Sequence, residues 1–540
     1  MTLHELDTAV YAHQWVALAG DHVAGVGQTG PEALRLARRN WPKQKQFTLR
    51  YVEPEGGEPL LIPPLLEQLL PFVEQLDQPI YVVGGAVRDM LNGRLPHDLD
   101  LMVGAGAITC GFRMGDFLGA PAYVMDKVRD VARIVLAEQE TTIDIARQRG
   151  ESLADDLRDR DLTINALALP VAARTSASVV DVVGGQADLA NGLIRQASPN
   201  ALLQDPVRGL RVVRMSLKLG FAIEAETAAN TRLSLRLREA TSPERIRDEL
   251  FNLVRVDPAG ALRILHELDG LAAIVPPLAP LVGVSQSAPH VRDVWGHTLW
   301  VLEWLGQVEA AVAGQPCSPP ELGEWLAPWR DELQAHLARP VPGHIDGHLL
   351  WRWAAVLHDV GKPATKTVEE SGRIRFFGHD KVGADMAADF LRSLHLSSEA
   401  VNHVAQTVAG HMRPLLMTHE GHSPTRRTIY RFFKRAGKAG VDVALLSLAD
   451  HLGTYGGVGD GAAWHRLGHI VTQLLRHYFE HYEETVRPVP LVSGRELMKQ
   501  LQLPQGPDVG RLLAILEEAQ AAGEIGTAEE ALALARANFV

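Results

Sequence analysis

Alternating apolar and polar residues are clearest between residues 80 and 146. Apolar runs bounded by glycines or charged residues predict strands there. The predicted strands are Ile80–Val83, a segment carrying Asp98 and Asp100, Tyr123–Met125, Val131–Ala137 and Thr141–Ala146. Helical patterns occur over Leu65–Leu76, with a kink at Pro71, and from Gly106 to Gly119. The pattern predicts an α+β domain.

The first 55 residues show a second, shorter pattern. It predicts a ββαβ order with strands Trp15–Ala19 and Val23–Val26, helix Pro31–Arg39 and strand Phe47–Val52. We expect a small separate module over residues 1–55, followed by a linker at residues 53–59. No catalytic pattern is visible in this module, which favours a packing or interaction role.

Helical periodicity dominates after residue 196. A strand, a Gly-Gly turn and a final strand over residues 179–196 close the α+β part, which we expect to span residues 60–196. Helical regions are expected at residues 197–275, 285–455 and 456–540. Residues 307–345 contain several prolines and predict a loop-rich insertion, whereas residues 489–540 predict capped amphipathic helices.

Composition narrows the class of protein. With 46% apolar and 22% charged residues, the chain of 540 residues is typical of a globular protein with several domains. Its two cysteines, Cys110 and Cys317, are too few for a disulfide framework. Without a long apolar run, the chain is expected to be cytoplasmic and to bind no membrane. The oligomeric state stays open.

The charge is distributed unevenly along the chain. A net charge of −12 argues against indiscriminate nucleic-acid binding. Residues 195–255, however, contain eleven Lys or Arg against seven Asp or Glu, a local charge of +4. This segment therefore predicts a phosphate-binding neck.

Candidate chemistry begins at the first strand of the α+β part. The glycines Gly84 and Gly85 let backbone N–H groups approach a phosphate closely, because no Cβ intervenes. Asp98 and Asp100 lie two residues apart on a strand, so their carboxylates share one face. Asp144, on the polar face of a later strand, is a candidate third carboxylate, although a single polar strand residue is more often solvated. The combination predicts a magnesium–nucleotide site.

Charged residues recur at helical spacing in the neck. Asp205, Arg208, Arg211 and Arg214 are three residues apart and predict one charged helix face. A carboxylate beside a guanidinium offers the acceptor and donors that reading the Watson–Crick edge of a base requires. The alternative is an intrahelical salt bridge, worth only about 0.3–0.5 kcal/mol.

The order strand, Gly84-Gly85, Arg88-Asp89, helix, turn and Asp98-x-Asp100 resembles the head of class II tRNA nucleotidyltransferases and bacterial poly(A) polymerases. The resemblance implies a polymerase-beta-like head with a mixed sheet and with Mg²⁺ at Asp98 and Asp100. It also implies a catalytic role for Asp144, because members carry an acidic residue on that strand.

Two further motifs extend the resemblance. The block Arg160-Asp161-x-x-x-Asn165-Ala166 resembles the family motif RRDxxxNA, with Asp159 in place of the first arginine. Residues 204–208 resemble the EDxxR template for CTP and ATP, with Gln204 in place of the glutamate. The residues implied to bind nucleotide are Gly84, Gly85, Arg88, Arg160, Asp161, Asp205, Arg208 and Arg211.

A second constellation lies in the helical region. The ordered set resembles the HD phosphohydrolase superfamily and consists of His297, His358, Asp359, His379, His411 and Asp450. The resemblance implies one or two divalent metals, with Asp359 bridging them. Imidazole and carboxylate ligands suit Mn, Ni, Co, Fe or Mg. The alternative is a purely structural helical domain.

Together these features predict an enzyme that transfers CMP or AMP from CTP or ATP to the 3′ end of tRNA. One alternative is an A-adding or poly(A)-adding enzyme, but the arginine-rich segment associated with poly(A) polymerases is absent between Asp100 and Asp144. A different alternative is a metal-dependent HD phosphohydrolase whose head only binds nucleotide or RNA. The departures at Asp159 and Gln204 favour that alternative, whereas the three carboxylates argue against it.

Overall fold

The computed structural model describes residues 8–343, 345–420 and 423–539. The chain folds into two compact units, Met1–Leu237 and Arg238–Val540. The division falls inside the expected neck of residues 197–275. Within the described residues, no helix combines the length and the apolar character needed to cross a bilayer.

The first unit contains a seven-stranded mixed sheet, which we call the head sheet. Its strands are β4 Ile80–Val83, β5 Leu99–Val103, β6 Ala122–Asp126, β7 Val131–Leu136, β8 Thr141–Arg147, β9 Leu167–Pro170 and β10 Val180–Asp181. Their order is β10-β9-β4-β5-β8-β7-β6, and β5 and β8 are the parallel pair. The predicted strands are present and the α+β class is confirmed, but β5 begins at Leu99, so Asp98 precedes the strand that was expected to carry it.

The alternation along these strands produces one buried face and one open face. Ala132, Ile134, Ile143 and Ile145 are fully buried, and the three isoleucines pack in one core. Helix α5, Ala107–Leu118, covers this face: a Cβ on its Gly111 would lie 2.8 Å from the Cβ of Ala132. The polar residues between the apolar ones therefore lie on the opposite face.

The N-terminal module has the predicted ββαβ order. A three-stranded sheet is formed by β1 Gln14–Ala19, β2 His22–Gly27 and β3 Thr48–Val52, with α2 Gly30–Asn40 before the third strand. It differs from the expected separate module because Trp15 and Ala17 share a buried core with Ile80 of the head sheet.

The expected linker after this module is held in place. The Glu53 carboxylate accepts hydrogen bonds from Arg174 N–H, Thr175 N–H and Oγ1, and Ser178 Oγ, all between 2.7 and 2.9 Å. A carboxylate with this many donors fixes the chain at a single position, because each donor would otherwise lose its partner.

Helices complete the first unit. They are α1 Thr8–Tyr11, α2 and α5 as given, α3 Pro64–Val73, α4 Gly85–Leu91, α6 Leu153–Arg158, α7 Gly185–Ala190, α8 Ala201–Gln204, α9 Val207–Leu219 and α10 Ala225–Arg236. A short parallel pair, β11 Leu193–Ile194 and β12 Ala222–Ile223, lies among them. The sequence patterns did not predict α7.

The predicted charged helix in the neck needs one correction. Helix α9 begins at Val207, and Asp205 lies in the bend between α8 and α9. Pro206 cannot donate a backbone hydrogen bond, so the helix starts after it rather than before it. Arg208, Arg211 and Arg214 are on the helix, but Asp205 does not share its face.

The second unit is almost entirely helical. Its helices are α11 Pro243–Val256, α12 Pro258–Glu267, α13 Leu271–Ile274, α14 Val294–Val312, α15 Glu321–Leu326, α16 Arg330–Ala338, α17 Gly347–Leu357, α18 Lys362–Thr365, α19 His379–Ser393, α20 Ser398–Gly410, α21 Met412–Met417, α22 Arg426–Ala436, α23 Ala439–Tyr455, α24 Gly461–Glu480, α25 Gly494–Leu501, α26 Pro507–Ala522 and α27 Ala528–Ala537. Two short hairpins are β13 Pro340–Val341 with β14 Ile345–Asp346, and β15 Lys366–Val368 with β16 Ile374–Phe376.

The predicted loop-rich insertion at residues 307–345 is wrong. Helix α14 continues to Val312, and α15 and α16 occupy much of the remainder. Pro320 lies at the start of α15, where a missing N–H costs nothing, so the prolines initiate a helix instead of preventing it. Leu322, Leu326 and Leu333 then bury an apolar stripe.

The predicted C-terminal helices are confirmed. Helices α25, α26 and α27 pack around a small core that includes Leu497, Leu512 and Leu516. Ser493 with Glu496, and Thr527 with Glu530, form capping boxes at two of the helix starts.

Candidate active sites

The glycine turn lies where a carboxylate and a guanidinium meet. Gly84 adopts a φ of 73° and donates its N–H to the Leu167 carbonyl at 3.0 Å. A Cβ on Gly84 would lie 3.2 Å from Arg160 Nη1 and 3.8 Å from Asp100 Oδ2. The backbone turn, a negative group and a positive group therefore converge on one small space that only glycine leaves open.

Arg88 lies underneath this turn. Its Nη1 donates to Asn165 Oδ1 at 2.7 Å, while Nε and Nη2 donate to Asp89 Oδ1 at 2.9 and 2.8 Å. The side chain is only 5% exposed. The structure thus places Arg88 where it positions helix α4, whereas the sequence resemblance implied a contact with nucleotide.

The three head carboxylates are neighbours on the open face of the sheet. Asp100 and Asp144 are direct partners in the parallel β5–β8 pair. Asp98 precedes β5, and its Oδ1 accepts hydrogen bonds from Thr142 N at 2.9 Å and Thr142 Oγ1 at 2.8 Å. Among the described residues, clusters of three ligands closing within 4.8 Å occur only in the second unit, so these carboxylates lie side by side without forming one.

Arg133 holds the third carboxylate. It is the partner of Asp144 across the antiparallel β7–β8 pair. Its Nε and Nη2 donate to the two oxygens of Asp144, each at 2.7 Å. Neither Arg133 nor Thr142 was predicted from the sequence to belong to the site. Hairpin register would have revealed Arg133, but the contact of Thr142 with Asp98, 44 residues away, has no local sequence signal.

The carboxylates differ in electrostatic environment. Surrounding protein atoms raise the pKa of Asp100 by displacing part of its water, and the neighbouring Asp144 raises it further. Partial burial also acts to raise the pKa of Asp98, but the hydrogen bonds from Thr142 lower it on balance. Among the described residues Asp100 receives no hydrogen bond, and an unneutralised carboxylate of this kind suits a cation.

The Arg160 block brings charges around the same space. Arg160 Nε donates to Asp156 Oδ1 at 3.0 Å, which directs Nη1 towards the glycine turn. Asp161 Oδ2 lies 3.4 Å from Arg211 Nη1. Asp159, which replaces an arginine of the resembling motif, accepts a hydrogen bond from Arg149 Nη1 at 2.7 Å.

The candidate base-reading pair is in loose contact. Asp205 Oδ2 lies 3.7 Å from Arg208 Nε, beyond hydrogen-bond distance. Arg208 Nη1 instead donates to the Ala201 carbonyl at 3.2 Å. The two side chains are 25% and 12% exposed, so their polar atoms lie in a partly dry environment where unpaired groups are costly.

The second unit brings all six candidate metal ligands together. Five separate elements contribute them, and two groups of three have ligand atoms within 4.8 Å of one another. The first group is His297, His358 and Asp450, and the second is Asp359, His379 and His411. All six are buried.

Backbone carbonyls orient three of the histidines so that Nε2 faces the centre of the cluster. The Nδ1 atoms of His358, His379 and His411 lie 2.6–2.8 Å from the backbone carbonyls of Ala355, Phe376 and Val408. A carbonyl can only accept, so Nδ1 carries the proton and Nε2 keeps its lone pair. Ring orientation by such contacts is typical of metal-binding histidines.

Asp359 faces both groups. Its Oδ2 lies 3.1 Å from His358 Nε2 and 3.4 Å from His297 Nε2, while its Oδ1 lies 3.5 Å from His379 Nε2. Oδ2 is buried without a hydrogen bond of good geometry, although Lys362 Nζ lies 2.7 Å away. The converging imidazole and carboxylate groups fit a divalent cation, with which Lys362 would compete for Asp359.

Burial and charge act in opposite directions on these groups. Burial lowers the pKa of His411 to about 4, and the nearby His379 contributes in the same direction. Burial also acts to lower the pKa of His358, but the Asp359 carboxylate raises it on balance. Burial acts to raise the pKa of Asp359, but His358 and Lys362 hold it well below the ordinary value.

Comparisons with known proteins agree with this arrangement. Residues 80–195 match the Poly A polymerase head domain, and residues 333–454 match the HD domain. The CC-adding tRNA nucleotidyltransferase of Thermus thermophilus is 34% identical over 472 residues, which cover 85% of this chain and 94% of the relative. The chain belongs to the tRNA nucleotidyltransferase family.

Other comparisons support this membership. The A-adding tRNA nucleotidyltransferase of Deinococcus radiodurans is 32% identical to this nucleotidyltransferase over 467 residues, or 84% of the chain and 94% of the relative. A solved CCA-adding enzyme in complex with ATP has a TM-score of 0.58 at 19% identity, covering 89% of this chain and 97% of that one. The fold is therefore shared well beyond recognisable sequence similarity.

Proposed function

We propose that this protein adds CMP and AMP from CTP and ATP to the 3′ end of tRNA. The observation that carries the proposal is the convergence of Gly84, Asp100 and Arg160 on one small space. A phosphate fits the glycine turn and the guanidinium, and a metal cation fits the carboxylate. The similarity to CC-adding and A-adding tRNA nucleotidyltransferases supports tRNA as the acceptor.

Asp98 and Asp100 would hold Mg²⁺. Asp100 is free of hydrogen bonds from the described residues, and Asp98 is held in place by Thr142. When bound, Mg²⁺ would favour deprotonation of the attacking 3′ hydroxyl and neutralise charge on the leaving pyrophosphate. Asp144 supports the pair as a third carboxylate by adding negative charge beside Asp100.

The triphosphate would lie over the glycine turn. Gly84 uses its own N–H for Leu167, so the N–H groups at the start of α4, beginning with Gly85, are available to phosphate oxygens. Arg160 adds a guanidinium to the same space, and Asp161 lies next to it to hold the ribose. Arg88 supports the turn from below.

Asp205, Arg208 and Arg211 would form the base-reading part of the site. Arg208 and Arg211 are one turn apart on α9, and Asp205 precedes the helix. Arg211 reaches Asp161, which joins the base-reading residues to the ribose-binding one. This arrangement supports selection of cytosine and adenine by hydrogen bonds rather than by shape alone.

The second unit would carry a two-metal phosphohydrolase centre. His297, His358, Asp359, His379, His411 and Asp450 would hold the metals, and Asp359 lies close to histidines of both groups. Bound metals would supply a water nucleophile for a phosphoester. Manganese, nickel, cobalt, iron and magnesium all suit this donor set.

The decisive experiment uses a tRNA transcript that lacks its 3′ end. The protein is incubated with each labelled NTP, singly and in pairs, and the products are sized on a sequencing gel. Stepwise addition of two C residues and one A supports the proposal. Products that stop after CC would assign a CC-adding activity, and products that begin only with A would assign an A-adding activity. Extension into a long A tract would assign poly(A) synthesis.

A further inference from the structure

A row of four cross-strand neighbours crosses the open face of the head sheet. Asp100 on β5 is the partner of Asp144 on β8, Asp144 is the partner of Arg133 on β7, and Arg133 is the partner of Tyr123 on β6. Directly opposed residues point to the same side of a sheet. The four side chains therefore share the face that carries the carboxylates, and we call them the cross-strand row.

The outer end of the row is open to solvent. Tyr123 is 54% exposed although it lies on a strand, and the Arg133 side chain is 39% exposed. The opposite face of the same strands is closed by α5, which packs against Ala132 and Ile145. The ring of Tyr123 is therefore open to stacking by a planar group.

Arg133 has a free donor beside that ring. Its Nε and Nη2 bind Asp144, but Nη1 has no hydrogen-bond partner among the described residues. The two hydrogen bonds to Asp144 fix the plane of the guanidinium group. Arg133 therefore loses little side-chain freedom when Nη1 binds a ligand. Its positive charge lies between the ring and the carboxylates and complements a phosphate.

We propose that the cross-strand row binds the 3′-terminal strand of the acceptor RNA, and this proposal rests on the function proposed above. A base near the 3′ end stacks on Tyr123, a backbone phosphate binds Arg133 Nη1, and the 3′ hydroxyl reaches Asp98 and Asp100. Single-stranded RNA is bound in this way, by aromatic rings combined with cationic groups. Three strand spacings, about 14 Å, separate Tyr123 from Asp100.

The test measures the KM for truncated tRNA and the KM for CTP in the full-length protein. Tyr123→Ala should raise the tRNA KM roughly tenfold, as loss of one base–aromatic stack does, and leave the CTP KM unchanged. Tyr123→Phe keeps the ring and should resemble wild type. Arg133→Lys keeps the charge beside Asp144. A lysine cannot make both hydrogen bonds to Asp144 and also bind a phosphate, so this variant should also raise the tRNA KM.

Matched controls lie on the other side of the sheet. Phe112 and Arg113 are exposed residues of the same two chemical types on α5. Phe112→Ala and Arg113→Lys should keep both KM values within about twofold of wild type, as surface substitutions usually do. Circular dichroism and the melting temperature establish that each variant is folded.

Two outcomes separate this proposal from the proposed function. If Tyr123→Ala and Arg133→Lys match their controls in tRNA KM while Asp100→Ala abolishes addition, the row is not the acceptor path and the proposed function stands. If the wild-type protein adds no nucleotide to truncated tRNA, the proposed function fails, whatever the Tyr123 and Arg133 variants do. An equal rise in the tRNA and CTP KM values would also overturn the proposal, because it would indicate general damage to the sheet.

Discussion

Both carboxylate oxygens of Asp144 accept hydrogen bonds from the Arg133 guanidinium, each at 2.7 Å. This pairing distinguishes Asp144 from the other two carboxylates of the head, Asp98 and Asp100. Asp144 lies beside Asp100 and raises its pKa, but its own oxygens are already engaged. Asp98 and Asp100 are therefore the pair that we propose for a cation, and Asp144 lies between Asp100 and the Arg133 guanidinium.

Gly84→Ala should impair nucleotide binding without a special loss of stability. The added Cβ would lie 3.2 Å from Arg160 Nη1 and fill the space above Asp100. Gly93→Ala is the matched control, because Gly93 has a similar φ of 66° but nothing within 4 Å of an added Cβ. Both variants should lose about 1–3 kcal/mol of stability, because a residue with a Cβ is disfavoured at these positive φ values. Only Gly84→Ala should raise the KM for CTP, and equal KM values in the two variants would contradict the site.

Asp205→Ala should relax the choice of nucleotide. If Asp205 and Arg208 read the base edge, a mismatched base leaves the Asp205 carboxylate unpaired and binds less tightly. Asp205→Ala removes this difference between matched and mismatched bases. We expect discrimination of CTP over UTP to fall by roughly 10- to 100-fold. The measurement is kcat/KM for each NTP, with the exposed Asp77→Ala as control. If the variant is active and still discriminates CTP from UTP as wild type does, Asp205 and Arg208 form only an ion pair.

The double change His358→Ala and Asp359→Ala should remove the metal of the second unit. His358 belongs to one ligand group, and Asp359 faces both, so neither group stays complete. Elemental analysis should show a loss of bound transition metal, together with loss of activity on 2′,3′-cyclic nucleotides and p-nitrophenyl phosphate esters. His395→Ala, an exposed histidine outside the cluster, is the control. Equal metal content in both proteins would exclude these residues as ligands.

In the same double variant, nucleotide addition should survive. The head carboxylates belong to the other compact unit and share no ligand with the cluster. Parallel assays of tRNA extension and phosphoester hydrolysis on one preparation separate the two activities. Loss of both would indicate that the variant had unfolded, which the melting temperature would reveal.

Asp442→Asn should destabilise the second unit strongly. Asp442 is fully buried and is the shared partner of His336 and His403. Removing its charge leaves these side chains poorly paired, at a cost of about 3–5 kcal/mol in the free energy of unfolding. Asp389→Asn removes an exposed ion pair with Arg392 and should change stability by less than about 1 kcal/mol. Comparable losses in denaturant titrations of both variants would contradict this account.

The contribution of Asp442 should also depend on pH. Burial acts to raise its pKa, but His336 and His403 lower it well below the ordinary value. Because the folded-state pKa lies below the unfolded value of about 3.9, the carboxylate stabilises the fold above that pH. The contribution should be lost progressively as the pH falls below about 4, so wild type and Asp442→Asn should converge there. A stability difference between the two proteins that persists unchanged in strong acid would refute this pH dependence.

Local sequence patterns were sufficient to predict most helices and strands. They were also sufficient to select candidate site residues within single short segments. The strand with Asp100, the alternation around Asp144 and the order of the HD residues all follow from spacing within short segments. Proline position explains two errors. The helix after Pro206 starts too late to include Asp205, and Pro320 begins a helix where a loop was expected.

Pairing between distant segments could not be predicted in the same way. Thr142 holds Asp98, Glu53 binds Thr175, and Asp442 joins His336 and His403, and each contact is fixed by packing of the whole unit. A charged residue in isolation gives no indication of its partner. The burial of Arg88 could not be predicted for this reason, because its side chain contacts Asn165, 77 residues further along the chain.

The most direct test of the central claim is nucleotide addition by Asp98→Ala and Asp100→Ala variants. Labelled CTP and ATP are supplied with truncated tRNA under saturating magnesium, and hydrolysis of phosphoesters by the second unit is measured on the same preparations. We predict that both variants lose addition while melting temperature and phosphoester hydrolysis stay at the wild-type level. Full addition by both folded variants would contradict the assignment of these carboxylates as the catalytic pair.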